Sequence, residues 1–217
     1  MQVIEETEIR MEWTDIRSYT PHAPPSGNHR RSPGVHLSGV IRYIAIRSGI
    51  LRSVDSTGRW AGDGDIEDDE MPMRMAVGFA WEQWAAGLYP FMHYQPGEMS
   101  CDEIYGTPDG LSENPSRGNG YEILLEEFKA TWKSAHTHPI TGQWMWMRQV
   151  MGYLKMLREG GYPDAHLARM HVLWVNGGYR PPAPRYIRYL IDFTAHEIDT
   201  CWGLLLRHRD NPGVIRE

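Results

Sequence analysis

Two acidic residues and a lysine close two short segments in the middle of the chain. Asp109 follows a proline in the turn-rich stretch TPDGLSENPSRGNG, and Glu127 and Lys129 end the apolar run YEILLEEFKA. Side chains two residues apart share one face of a β-strand, so Glu127 and Lys129 point the same way as Leu125, whereas Glu126 points to the opposite face in a structural or solvent-exposed role. If the face of Lys129 opens onto a cleft, Asp109 at the mouth of the preceding turn can reach the same point.

Paired carboxylates of this kind suit a hard divalent cation. Mg²⁺ takes oxygen ligands, often one or two carboxylates with several waters retained. A neighbouring lysine can orient a water or help to deprotonate it, and it can stabilise charge that grows on a phosphate. The pattern therefore favours metal-assisted chemistry on a phosphate ester. The alternative interpretation is a Pro-Asp-Gly turn followed by an ion-paired strand end.

Two further residue pairs lie on predicted helices before and after this strand. Gly78 and Glu82 are four apart in VGFAWEQW, so they share a helix face, and their aromatic neighbours are an apolar setting for a carboxylate. Gln149 and Tyr153 have the same spacing in QVMGY, which places an amide and a phenol on one face, with Arg148 beside them. A solvated acid and a core tyrosine are the alternatives for these two pairs.

In this combination and order, the residues resemble the PD-(D/E)XK nuclease superfamily, most of all its lambda-exonuclease and RecB-like branch. Pro108-Asp109 and the tripeptide at 127–129 match the family signature, with a Gly-x-x-x-Glu pattern ahead of them and a Gln-x-x-x-Tyr pattern after them. The matching motifs extend over roughly residues 38–157. The resemblance implies a restriction-endonuclease-like core: an α/β (α+β) domain with a small central mixed sheet flanked by helices.

The resemblance also implies a role for each matching residue. The catalytic residues would be Asp109, Glu127 and Lys129. One or two Mg²⁺ or Mn²⁺ ions would be held by Glu82, Asp109, Glu127 and the main-chain carbonyl of Phe128. Contacts to DNA would come from Gln149, Tyr153, Arg148 and Arg42, and also from Arg31 and Ser38. The last two stand near the position at which the lambda-exonuclease group holds a 5′ phosphate, but with an altered gap and an inserted proline.

The implied function is metal-dependent hydrolysis of DNA phosphodiester bonds, as an exonuclease of recombination, repair or phage DNA processing. An endonuclease or junction-cleaving enzyme with the same site is one alternative, and an inactive nuclease fold that only binds DNA is another. Besides DNA, a single-strand annealing or recombination protein is an expected partner, and a homo-oligomer is compatible with the family. Cys101 and Cys201 are the only cysteines, too few for an iron–sulfur cluster.

Length and composition predict one soluble domain. The chain has 217 residues, of which 41% are hydrophobic and 23% charged, as in ordinary globular proteins. We expect an N-terminal extension and loop over 1–34 and the nuclease core over 35–210. Because no apolar run approaches a membrane span and the first residues are acidic, the prediction is a cytoplasmic protein without membrane contact, in the host cytoplasm if phage-encoded.

Charge is unevenly distributed, which bears on how DNA would be held. The net charge is -6, yet arginines dominate residues 16–60 and the following stretch GDGDIEDDE carries only acids. A phosphate-facing surface beside an acidic linker is one interpretation, and a solvated loop next to a charged helix is the other.

Periodicity predicts the elements that must position these residues. A loop covers 18–34, a helix capped by Ser38 ends before Gly49, and a second helix runs over about 73–87. Strands follow in EMSCDEIYG and YEILLEEFKA, with SENPSRGNG between them as a surface insertion. Next come a helix in TGQWMWMRQVMGYLKMLREGG, strands in ARMHVLWV and YIRYLIDF, and a last helix over about 194–208.

Overall fold

The computed structural model describes residues 1–9, 32–51, 70–89, 92–115, 121–177, 184–211 and 213–214. Nine strands are present in these ranges: β1 (Gln2–Ile9), β2 (Val35–His36), β3 (His93–Tyr94), β4 (Met99–Cys101), β5 (Ile104–Gly106), β6 (Gly110–Pro115), β7 (Tyr121–Thr131), β8 (Leu167–Trp174) and β9 (Arg185–Asp192). The same ranges hold four α-helices: α1 (Leu37–Arg47), α2 (Glu70–Gly87), α3 (Trp144–Glu159) and α4 (Ala195–Arg209). A single 3₁₀ turn, Ile140–Gly142, precedes α3.

A six-stranded mixed sheet forms the centre, with strand order β1-β9-β8-β7-β6-β3. β7 and β8 run parallel and are joined through α3, whereas the other neighbouring pairs are antiparallel. A smaller sheet, with order β2-β5-β4, lies beside it. This arrangement confirms the predicted fold class, a mixed α+β core with a central sheet flanked by helices.

The two faces of the central sheet pack against different helices. The larger core cluster contains Leu125 and Val172 together with residues of α1, α3 and α4. The smaller cluster joins Phe128 and Tyr186 to Trp81 on α2. Because neighbouring residues of a strand point to opposite faces, β7 contributes to both clusters, and α2 lies across the sheet from α3.

The first strand belongs to the central sheet. Residues 2–9, expected in an N-terminal extension, form β1 and pair with β9 along the sheet edge. Glu8 makes two hydrogen bonds of 2.8 Å with Arg185, and Glu5 lies 3.5 Å from Arg188. An edge strand tolerates many charged side chains. The acids of VIEETEI therefore break the apolar alternation by which a strand is predicted from sequence. The loop predicted over 18–34 lies outside the described residues except for 32–34.

Two other elements differ from prediction. α1 begins at Leu37, with His36 as an N-cap residue that makes no side-chain cap, so the prediction that Ser38 caps this helix is wrong. The chain enters α1 directly from β2, which pairs with β5. In addition, the first part of SENPSRGNG is not a loop, because Ser112 to Pro115 continue β6 against β7.

α1 and α3 approach each other closely at Gly152, which yields a stability prediction. A Cβ at Gly152 would lie 2.7 Å from both methyl carbons of the buried Leu37. Gly152→Ala should therefore lower the free energy of unfolding by roughly 1–3 kcal/mol, despite the better helix propensity of alanine. Gly203 in α4 has no atom within 4 Å of an added Cβ. Gly203→Ala should therefore raise the free energy of unfolding by about 0.5–1 kcal/mol. Urea unfolding measures both changes. If the two substitutions changed the free energy of unfolding in the same direction, the close packing of Gly152 against Leu37 would be contradicted.

None of the helices in the described part of the chain is both long and apolar enough to cross a membrane.

Candidate active site

The hairpin of β6 and β7 brings Asp109 to the middle of β7. Gly110 pairs with Glu126, so Asp109 comes next to the following residues of β7. The Asp109 Oδ2 atom accepts a hydrogen bond of 2.8 Å from the Phe128 amide. The main-chain carbonyl of Asp109 accepts another hydrogen bond, also of 2.8 Å, from the main-chain N–H of Gln95. The aspartate is thus held from both sides at the point where β6 begins.

Glu127 and Lys129 form an ion pair on the α3 side of the sheet. Lys129 Nζ donates to Glu127 Oε1 at 2.5 Å, which confirms that the two side chains share a face. Glu127 is 0% exposed, whereas the lysine side chain keeps 19% of its accessible surface. The second carboxylate oxygen, Glu127 Oε2, is buried and has no hydrogen-bond partner. An ionised oxygen buried without a donor is unfavourable unless a cation or water meets it.

Glu82 reaches the same region from α2. Its side chain is half-buried, and Oε1 accepts from the Tyr94 hydroxyl at 2.9 Å. Gln95 Nε2 in turn donates to the Tyr94 hydroxyl at 3.1 Å. Sequence reasoning missed Tyr94 and Gln95, because HYQPG carries turn residues and no recognisable pattern. A weak signal exists in the polar pair itself, placed directly before a proline.

Burial raises the pKa of all three carboxyl groups, and the charge of Asp109 adds to this effect at the other two. Burial, and next the charge of Asp109, raise the pKa of Glu127 to about 8 and also raise that of Glu82. Burial raises the pKa of Asp109, although Lys129 and the Phe128 amide oppose this. For Lys129, burial acts to lower the pKa, but the neighbouring carboxylates outweigh it and raise the value. With all three carboxyl groups ionised, the site would hold more negative charge than its lysine balances.

These residues fit a divalent cation held by few protein ligands. In the described part of the chain, no three Asp, Glu, His or Cys side chains form a group that could hold an ion. An ion would instead rely on Asp109 and Glu127, with Glu82 acting through water. Because the N–H and C=O of one strand residue face the same side, the Phe128 carbonyl faces Asp109 as well. Two carboxylates, a carbonyl and water are a ligand set that Mg²⁺ accepts.

The raised pKa values give a pH dependence for Mg²⁺ binding. Glu127 goes from an ordinary value of 4.5 to about 8 in the folded chain, so its stabilising contribution is complete below 4.5 and is lost as pH rises through 8. A cation replaces the proton as a partner for the carboxylate. Mg²⁺ should therefore raise the melting temperature more at about pH 8.5 than at about pH 6. Thermal melts with Mg²⁺ and with a chelator measure this, and an equal shift at both pH values would contradict it.

Gln149 and Tyr153 share one face of α3, as predicted. Gln149 Nε2 donates to the Tyr153 hydroxyl at 2.9 Å. Tyr153 is only 5% exposed, and its ring contacts Gly106, three residues before Asp109. The tyrosine is therefore a core residue that supports the approach to Asp109, with the half-buried Gln149 as its polar partner. A DNA-contacting role for this pair remains a prediction.

The arginines expected to contact DNA are less well placed. Arg148 stacks its guanidinium 5.3 Å over the Trp144 ring, and its main-chain carbonyl accepts a hydrogen bond of 3.8 Å from the Cys201 thiol of α4. It lines a cavity of about 520 Å³ between α3 and α4 instead of facing the carboxylates. Arg148 therefore lies apart from the face of Gln149, because residues one apart on a helix point in different directions, and its contact with DNA remains a prediction. Ser38 is exposed and Arg42 half-buried on α1, while Arg31 lies outside the described residues.

Comparison with known proteins gives distant likenesses only. No protein-family model and no curated protein sequence matches the chain. Among solved structures, the protein SSO0001 is 10% identical, with a TM-score of 0.44, covering 92% of this chain and 85% of that one. A phage-related exonuclease from Haemophilus somnus 129PT is 14% identical, with a TM-score of 0.41, covering 79% of this chain and 78% of that one. Likeness at this level says nothing about the site.

Proposed function

We propose that the protein is a metal-dependent deoxyribonuclease whose reaction takes place at Asp109, Glu127 and Lys129. The observation that carries the proposal is the junction of β6 and β7. There, an aspartate bound to the Phe128 amide adjoins a buried glutamate with an unpartnered oxygen and an ion-paired lysine. A Pro-Asp-Gly turn with a merely ion-paired strand end gives no reason to bury Glu127 Oε2 without a donor. A cation ligand does.

Each residue of the chain has a distinct part in this chemistry. When bound, the divalent ion would polarise the scissile phosphate and lower the pKa of the attacking water. Asp109 and Glu127 hold that charge in place, and the Phe128 carbonyl completes the protein ligands. The ammonium of Lys129, partly open to solvent, positions the water and balances negative charge that develops on the phosphate. Glu82, hydrogen-bonded to Tyr94, accepts a hydrogen bond from water at the rim of the site.

DNA is the proposed substrate, held mainly through its backbone. Gln149 and the arginines of α1 would contact phosphates, which predicts a salt-sensitive affinity with little base recognition. We further propose exonucleolytic action in recombination, repair or phage DNA processing, in the cytoplasm. A single-strand annealing or recombination protein is a candidate partner, and a homo-oligomer is compatible with this function. An endonuclease or junction-cleaving enzyme could use the same site, and an inactive DNA-binding fold could retain it.

A panel of DNA substrates separates these possibilities. The purified protein is incubated with Mg²⁺ or Mn²⁺ and with linear or closed circular DNA, each double- or single-stranded. Degradation of the linear forms alone is the expected result. Cleavage of closed circles would exclude the exonuclease, and binding to DNA without cleavage of any substrate would favour the inactive fold.

A further inference from the structure

A buried polar network lies on the face of the sheet opposite Lys129. Its centre is Glu126, which is 1% exposed. Glu126 Oε1 accepts hydrogen bonds from Ser112 Oγ at 2.5 Å and from Arg169 Nη1 at 2.9 Å. Glu126 Oε2 accepts from His171 Nε2 at 2.8 Å. With three donors, this glutamate contrasts with its neighbour on β7, which has a single lysine partner.

The network continues from His171 to the end of α2. His171 Nδ1 lies 2.6 Å from the Tyr186 hydroxyl, which lies 2.7 Å from the Tyr89 hydroxyl. Burial lowers the pKa of His171, which favours the neutral ring, and a neutral ring carries one proton. Because the carboxylate of Glu126 takes the N–H of Nε2, Nδ1 is an acceptor. Tyr186 therefore donates to His171, and Tyr89 donates to Tyr186.

These bonds join the elements that carry the candidate metal ligands. Ser112 lies on β6, which begins directly after Asp109, and Glu126 lies on β7. Tyr89 follows the end of α2, the helix that carries Glu82. The aromatic rings add contacts along the same path, since the rings of Phe128 and His171 stack 4.5 Å apart. One continuous network thus fixes β6, β7 and α2 relative to one another.

We propose that Tyr186 and His171 are positioning residues for the metal site, a role that rests on the proposed function. None of the network's side chains touches the reacting atoms. They hold the backbone of β7 and the end of α2 so that Asp109 and Glu127 stay placed for one cation despite their repulsion, with Glu82 near enough to act through water. Groups hydrogen-bonded to metal ligands commonly change metal affinity by about 10–100-fold when they are removed, and residues that act through the backbone of β7 should lie at the low end of that range.

Tyr186→Phe tests the role, because it removes one oxygen atom and keeps the ring in the smaller cluster. The Mg²⁺ concentration for half-maximal cleavage should rise about tenfold, with most of the rate recovered at saturating Mg²⁺, and the Mg²⁺ concentration for a half-maximal rise in melting temperature, measured without DNA, should rise by the same factor. Tyr189→Phe is the matched control, since Tyr189 is a buried tyrosine of the same strand that packs in the larger cluster. Tyr89→Phe, at the half-buried end of the network, should give a smaller change in the same direction. It replaces Tyr186→Phe as the test variant if Tyr186→Phe does not fold.

The outcomes separate this role from the function on which it rests. If wild type cleaves DNA with Mg²⁺ and the Tyr186→Phe and Tyr89→Phe proteins need no more Mg²⁺ than Tyr189→Phe, the network only stabilises the fold and the positioning role is overturned. If wild type shows no Mg²⁺-dependent cleavage, the proposed function fails and the positioning role fails with it. A raised Mg²⁺ requirement confined to the two network variants supports both.

Discussion

Asp109→Asn should reduce Mg²⁺-dependent DNA cleavage by at least about 1000-fold, because it removes one of the two carboxylates available to the cation. The side-chain oxygen of asparagine can still accept the hydrogen bond that the Phe128 main-chain N–H donates, so the fold should persist. Lys129→Met should reduce the rate by about 100–1000-fold through the loss of charge near the phosphate. Initial rates on linear DNA at saturating Mg²⁺ measure both effects.

Surface residues of the same types provide the controls. Asp199 and Lys155 form an exposed ion pair between α4 and α3, away from the hairpin of β6 and β7. Asp199→Asn and Lys155→Met should leave the rate within about twofold of wild type, because a surface pair contributes little. Equal losses in the site variants and these controls would show that general destabilisation, and not chemistry, lowers the rate.

The two adjacent glutamates of β7 should respond to the same substitution with opposite changes in stability. In metal-free protein at about pH 8.5, Glu127→Gln should raise the free energy of unfolding by roughly 2–4 kcal/mol, because the raised pKa shows that burial disfavours its charge. Glu126→Gln should lower it by roughly 2–3 kcal/mol, because Arg169 and His171 lose their charged acceptor. Urea unfolding in a chelator measures both values.

Mg²⁺ supplies the internal control for this pair. It should raise the melting temperature of wild type but not that of Glu127→Gln, because the amide is a poor replacement for the carboxylate ligand. Glu126→Gln should retain a Mg²⁺-dependent increase, though a smaller one. If Glu127→Gln instead destabilised the metal-free protein, the ion pair of Glu127 with Lys129 would stabilise the fold by more than the burial of the charge destabilises it. The site would then be a structural ion pair.

Much of the fold follows from local patterns. The helices predicted over about 73–87 and 194–208 correspond to α2 and α4, and ARMHVLWV and YIRYLIDF form β8 and β9, because apolar residues recur along all four segments between turn-forming residues. Polar strands escaped prediction: β1 contains three glutamates, and β6 continues through Ser112 to Pro115. Their pairing is decided by β9 and β7, partners that are distant in sequence or beyond a turn, and no local pattern shows this.

The part of the candidate site that lies on β7 was predictable, because strand alternation decides the face to which each side chain points. Alternation separates Glu126 from Glu127, and the structure places the first in a buried network and the second beside Lys129. Burial excludes the solvent-exposed role that was one option for Glu126. The contacts of Tyr94 with Glu82 and the orientation of Arg148 toward α4 depend on packing between distant segments, which spacing along the chain does not encode.

The position of a bound Mn²⁺ ion tests most directly whether these acids form a catalytic metal site. Crystals of the protein soaked with Mn²⁺ would be measured for anomalous scattering. The expected result is a peak at the junction of β6 and β7, about 2.0–2.3 Å from oxygens of Asp109 and Glu127 and from the Phe128 carbonyl. Fully ordered carboxylates with no peak between them, and Lys129 still bound to Glu127, would contradict a metal-dependent nuclease at this site.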